Sequence, residues 1–282
     1  MNAKYDFVRH STVLRITPPG RWWALPFKEI WEYRELLYFF VWRDIKVRYK
    51  QTAIGAAWAV LQPLMTMLVF SLFFGRLAHI PSEGQPYPIF FYCALLPWMY
   101  FSSALQSATN TIVENQRLIT KVYFPRLMLP LSAVLSGLID FGISFLMFGL
   151  MMIYYGVRPT ISALWVPAFL LLAVLTALGV GLWLAALNAL YRDVRYVLPF
   201  LVQLWMFASP VAYPSSLVPE RWRLLYGLNP MSGVIEGFRW SLTGRGKAPG
   251  GLFFVSLGAV LIILLSGLAY FQKMETTIAD VV

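Results

Sequence analysis

One cysteine, two histidines and thirteen carboxylates are all that this 282-residue chain offers to much of solution chemistry. A lone Cys93 excludes an internal disulfide, and His10 and His79 lie too far apart to form a metal-ligand spacing. Charged residues make up 13% of the chain, against about 25% in a soluble domain, so a water-soluble fold is excluded. No GxxxxGK[ST] run occurs. Gly244-Arg245-Gly246-Lys247 lacks the following hydroxyl residue, so the chain has no phosphate-cradling loop, and any ATP-driven process needs a second polypeptide. Residues 1–26 contain charges and Pro18-Pro19-Gly20 but no apolar core. They read as a flexible cytoplasmic leader rather than a cleavable signal.

What is there is apolar: 59% of residues are hydrophobic and 17% aromatic. Ala53 to Phe74 is uncharged, and as a helix of roughly 33 Å it reaches across a bilayer core. Five further stretches read as spans: Pro88–Thr109, Leu127–Tyr155, Leu164–Leu190, Tyr196–Tyr213 and Leu252–Phe271. The fold class is therefore an all-α integral membrane protein with six transmembrane helices. The domain from 53 to 271 holds the spans, and a cytoplasmic tail follows from 272 to 282. Ten of the 23 Lys and Arg residues fall in the first 50 positions. With both termini inside, 16 basic residues are cytoplasmic and seven are outside, which is the bias that sets topology. This also accounts for the net charge of +10 without nucleic acid.

Three segments outside the spans stand out. Residues 27–50 carry an aromatic stripe of Phe27, Trp31, Tyr38, Trp42, Ile45 and Tyr49 at helical spacing, interleaved with charge. This predicts an amphipathic helix in the cytoplasmic interface. The loop between spans two and three, near 113–128, is basic yet more apolar than solvation requires at Val122, Tyr123, Phe124, Leu127 and Met128, as suits docking on a soluble partner. A second short cytoplasmic loop lies near 190–196. Residues 214–249 are amphipathic, and Pro219–Tyr226 and Met231–Leu242 read as two short outer re-entrant helices, too short to cross.

Asp140 is the one acid deep within a proposed span. A structural role is expected for it, hydrogen-bonded to Ser136 or Ser144 one turn away, because no second intramembrane charge is visible. Aromatic residues crowd the outer halves of spans two and five. They fit an interfacial belt, and equally a sugar-stacking lining that includes Trp98, Tyr100, Phe101 and Trp205. Gly233-x-x-x-Gly237 is a short packing motif.

Several segments, in order, resemble the ABC-transporter permeases that export O-antigen, teichoic acid and related polysaccharides. They are Arg43-Asp44-Ile45-Lys46-Val47-Arg48-Tyr49, Leu61-Gln62-Pro63-Leu64, Lys121-Val122-Tyr123-Phe124-Pro125-Arg126, Leu187-Asn188-Ala189-Leu190-Tyr191-Arg192-Asp193-Val194 and Asn229-Pro230-Met231. The resemblance implies a homodimer of this chain in the bacterial inner membrane, with two copies of a cytoplasmic ABC ATPase. ATP and Mg would sit on that ATPase and no cofactor on this chain. It implies a lipid-linked glycan as substrate, on an undecaprenyl diphosphate carrier. It implies that the helix at Trp31–Tyr49 gates access, with Arg43, Lys46, Arg48 and Tyr49 near the lipid head. It also implies that Leu118, Lys121, Phe124, Pro125 and Arg126 couple to the ATPase, and that the outer helices close the exit.

Two other classes compete. An ABC exporter of a drug or lipid shares this architecture. A membrane glycosyltransferase or acyltransferase would need converging acids, bases or nucleophiles, and Asp140, Asp193 and His79 sit at different proposed depths.

Overall fold

The computed structural model describes residues 27–50, 57–244 and 250–281. The leader at 1–26, the start of the first expected span and most of the Gly244–Lys247 run lie outside these residues. Every described regular element is a helix. Two helices precede the bundle: α1 (Phe27–Glu32) and α2 (Arg34–Lys50), joined through Tyr33 by backbone bonds to Glu29 and Leu37. The bundle comprises α3 (Trp58–Phe70, continued by a π-helical Ser71–Leu77), α4 (Tyr87–Glu114), the single turn α5 (Gln116–Ile119), α6 (Met128–Tyr154), α7 (Val166–Leu190), α8 (Val194–Phe207), α9 (Glu220–Tyr226), α10 (Pro230–Thr243) and α11 (Gly251–Val281).

Five helical stretches are long and apolar enough to cross a membrane: Trp58–Leu77, Tyr87–Glu114, Met128–Tyr154, Ile161–Leu190 and Gly251–Glu275. The sixth expected span, Tyr196–Tyr213, differs. α8 has 14 residues, roughly 21 Å of helix, and unwinds after Phe207 into turns. Pro210 explains the stop, because its ring disfavours helical backbone at Ser209 and it has no N–H to donate. The missing length is filled by α10. Its Met231, Val234, Ile235 and Phe238 are fully buried, and it packs on α4, α7 and α11. The re-entrant reading of this region thus becomes one surface helix, α9, and one buried helix, α10.

α4 is enclosed on nearly all sides, packed between α6 and α7, while α3 and α11 leave most of their surface for lipid or another chain. α7 and α11 cross closely at paired glycines. A Cβ on Gly179 would lie 2.9 Å from the Leu264 backbone, so only glycine permits this approach. The two glycines of the short motif act likewise, Gly233 against Ser256 of α11 and Gly237 against Phe169 of α7. Gly244 ends α10 at φ +64°, a left-handed cap that a side chain would strain.

At the end of the bundle where α4, α7 and α11 finish, Phe40, Ile112, Phe124, Met128, Leu182 and Phe271 form a separate apolar cluster. This is the basic end. Phe40 of α2 plugs into the cluster, whereas Trp31, Tyr38 and Trp42 point outward and are 71%, 73% and 47% exposed. The stripe therefore divides: Trp31, Tyr38 and Trp42 face outward, Tyr49 turns inward to Asp140, and Phe40, which is not part of the stripe, anchors α2.

Candidate functional site

α2 does not simply lie across the basic end. Its last turns run alongside α6: Ser132 donates to Asp44 at 3.1 Å, Arg48 Nη2 donates to Ser136 at 3.4 Å, and Arg48 Nη1 and the Tyr49 hydroxyl both reach Asp140. Asp140 sits near the midpoint of α6. The chain thus brings a cation to the depth of its one mid-span acid. This corrects two expectations. Asp140 is not held by its own helix, because Ser136 donates to Ala133 and Ser144 donates to Ala59 at 2.9 Å. A second charge at that depth also exists, contributed by a helix 92 residues earlier in sequence. The i,i+4 reasoning favoured local serines because sequence spacing carries no sign of a distant partner.

The ion pair borders a cavity of about 560 Å³ between α2, α3, α4 and α6. Arg48, Tyr49, Gln62, Ser103 and Asp140 give it polar points, and Trp58, Pro63, Leu96, Met99, Tyr100 and Phe141 give it apolar walls. Arg48 and Asp140 keep 29% and 27% of their side-chain surface exposed, so the pair is reachable from the cavity. Among the other basic residues named in advance, Arg43 is held by its neighbour Asp44 at 2.8 Å and lies 5.0 Å from the Phe40 ring. Lys46 stacks over Trp42 at 4.4 Å on the outward face. Only Arg48 and Tyr49 of this group reach the cavity.

The four aromatic residues separate. Tyr100 lines the cavity and donates to the Val134 carbonyl at 3.1 Å. Phe101 and Trp98 are buried, with ring centroids 5.5 Å apart, and Phe101 meets Trp205 edge-on at 5.0 Å. Trp205 is half-buried, and its ring N–H donates to Asn229 at 2.9 Å. The three form a packed aromatic joint between α4 and α8.

In the loop near 113–128, Phe124 turns inward, 4% exposed, edge-on to Phe40 at 5.3 Å. The expectation that it docks on a partner is corrected: it is the bolt that fixes α2 to the bundle. The outward apolar residues are Val122 and Tyr123, 52% and 71% exposed, beside an exposed Lys121. Leu118 and Pro125 are half-buried, and Arg126 donates to the Glu275 backbone carbonyl of α11.

A second polar centre lies at the far end. Arg239 of α10 is 4% exposed. It donates to the carbonyls of Val211 at 2.8 Å and Tyr213 at 3.2 Å, pairs with Glu236 at 3.0 Å, and sits 3.8 Å from the Phe90 ring. Glu236 also accepts from the Ser215 amide, Tyr87 donates to the Ala212 carbonyl, and Asn229 donates to the Ala208 carbonyl. Together these satisfy the backbone left open where α8 unwinds, as buried irregular backbone requires. Nearby, burial and then the Tyr213 hydroxyl push the Tyr226 phenol above its ordinary range. Sequence reading counted Arg239 as an ordinary outer charge. The available signal was the i,i+3 pair Glu236 and Arg239 set inside an otherwise apolar helix.

The model of the ABC-2 type transporter family matches residues 35–243. The O-antigen export system permease protein RfbA of Myxococcus xanthus is 32% identical, over 84% of this chain and 91% of that protein. The protein of the same name from Klebsiella pneumoniae is 26% identical over 88% and 95%. The polysialic acid transport protein KpsM of Escherichia coli is 24% identical over 83% and 91%.

Proposed function

The chain belongs to the ABC-2 type transporter family, and on that premise we propose that it is the membrane permease of an exporter for a lipid-linked polysaccharide of the O-antigen or capsule type. A separate ATPase drives it. The single observation that carries the reading is the cavity beside Arg48, because a glycan on a diphosphate lipid needs one site that offers a cation, polar points and apolar walls together. The matches to export permeases extend over most of the length of this chain and of the relatives, which supports a shared task rather than a shared fragment.

The working unit is two copies of this chain with two ATPase subunits. The basic end faces the cytoplasm, with both termini on that side, as the charge bias supports. Val122 and Tyr123, beside Lys121, are the outward points from which the ATPase pushes, and force passes through Phe124 and Arg126 to α2 and α11. The diphosphate head meets Arg48 at the end of α2, since a guanidinium holds phosphate oxygens by two parallel bonds where Lys offers a point charge. Tyr100 stands at the cavity wall where the first sugar rings would follow.

The test is reconstitution of the chain with its ATPase in liposomes, reading ATP-dependent appearance of a lipid-linked glycan on the far leaflet. Movement of the glycan, lost when the ATPase cannot hydrolyse ATP, is the expected result. ATP-dependent movement of unglycosylated lipids or drugs without movement of the glycan would overturn the reading in favour of a lipid or drug exporter.

A further inference from the structure

The Arg48–Asp140 pair stands where a ligand can contest it. Both side chains line the same cavity and are 29% and 27% exposed, whereas in the Arg239–Glu236 pair at the far end the arginine side chain is only 5% exposed. A carboxylate and a phosphate present the same pair of acceptor oxygens to a guanidinium fork. An ion pair of this kind roughly breaks even against its desolvation cost, so exchanging one anion for another requires little net free energy. Gln62 and Ser103 offer further hydrogen bonds to a polar head, and Trp58, Leu96 and Met99 offer apolar wall to a chain attached to it.

We propose that Asp140 is an internal competitor for the anionic head of an amphiphile. In the unloaded protomer it occupies Arg48 and Tyr49 and so latches the end of α2 to α6. A diphosphate-bearing lipid displaces the carboxylate from Arg48, and the latch opens as the head is seated. The inference rests on the lipid-linked substrate proposed above and adds to it a threshold: a neutral lipid, or one with a weaker anion, does not open the latch.

The experiment is equilibrium binding to the purified full chain in phosphatidylcholine nanodiscs, with farnesyl diphosphate, farnesol and inorganic pyrophosphate as probes. Asp140→Asn removes the competing charge and keeps the shape. It should bind farnesyl diphosphate several-fold more tightly than the unaltered chain, with farnesol unchanged and no comparable gain for pyrophosphate. Adding Arg48→Gln should abolish the gain. Unchanged or weaker farnesyl diphosphate binding by a well-folded Asp140→Asn chain would overturn the competition. A gain that survives Arg48→Gln would overturn the role of Arg48, and an equal gain for pyrophosphate would overturn the amphiphile. Should the Asn variant fail to fold, Tyr49→Phe replaces it: loosening the carboxylate should raise affinity in the same direction by a smaller factor, and no rise would count against the latch. The probe carries no sugar and no ATPase is present, so this outcome is read independently of glycan export.

Discussion

Two of the arginine–carboxylate pairs among the described residues, Arg48–Asp140 and Arg239–Glu236, solve opposite problems. At the far end Arg239 is sealed. It has Glu236 at 3.0 Å, two backbone carbonyls and an aromatic face, and its partners belong to the segment where α8 stops. At the basic end Arg48 is exposed to a cavity, and its partner Asp140 lies on a helix that needs no help to stay helical. A buried cation that completes a broken helix is architecture. A half-exposed cation whose counter-ion can be exchanged is a site. The type of residue does not distinguish the two; what surrounds the guanidinium does.

The most severe way to break this contrast is Arg239→Leu. The Val211 and Tyr213 carbonyls would lose their donor and Glu236 its counter-ion, at a site where Arg239 is 4% exposed. Breaking one side of a buried pair costs about 3–5 kcal/mol. The variant should assemble poorly, read as lost monodisperse protein and a lowered unfolding midpoint in detergent. Arg48→Leu should fold and fail in transport only. Equal damage to folding from both would erase the distinction.

How far sequence reading reached follows the same division. Five of the six expected spans, the helix over 27–50 and the two short helices after α8 are legible because each is a run of like residues with its own period. Asn229 before Pro230 marks the start of α10 through its cap, where its side chain accepts from the Met231 amide at 3.1 Å. Arg48 and Tyr49 are legible as a basic and an aromatic residue at the end of a helix over 27–50, but their partner is not, because Asp140 comes to them by folding. Phe124 shows the limit most plainly. An apolar residue in a loop between spans reads the same whether it faces another protein or another helix of its own chain, and only the position of Phe40 decides. The early end of α8 was likewise visible as Pro210, yet hydropathy carries the apparent span on to Tyr213.

A second test separates bolt from dock within the basic end. Phe124→Ala empties a site in the cluster around Phe40 and Met128 and should cost about 3 kcal/mol of stability. Tyr123→Ala removes an exposed ring, so unfolding should be unchanged while stimulation of the ATPase falls. Measuring unfolding and ATPase activity on both variants checks this, and the reverse pattern would restore Phe124 as the docking residue.

The tightness of the far end can be probed by a single methyl group. A Cβ at Gly237 would come within 2.2 Å of the Phe169 ring, while one at Gly142 of α6 meets nothing within 4 Å. Overpacking of this kind costs about 1–3 kcal/mol. Gly237→Ala should lower the unfolding midpoint measurably, and Gly142→Ala should match or slightly exceed the unaltered chain, since alanine favours helix over glycine by about 1 kcal/mol.

The smallest effect sharpens the comparison most. Tyr49→Phe deletes one hydrogen bond to Asp140 and leaves the Arg48 pair in place. A hydrogen bond contributes about 0.5–1.5 kcal/mol net. Here the value should fall at the lower limit, because the partly exposed carboxylate can take a water in place of the phenol. At the far end no such substitution is open to Arg239, whose neighbours enclose it. Unfolding of Tyr49→Phe in detergent should therefore fall only slightly below that of the unaltered chain, far short of the loss in Arg239→Leu. A loss comparable to Arg239→Leu would mean that the Asp140 cluster is as closed as the far one, and the cavity beside Arg48 could then not serve as a place where anions exchange.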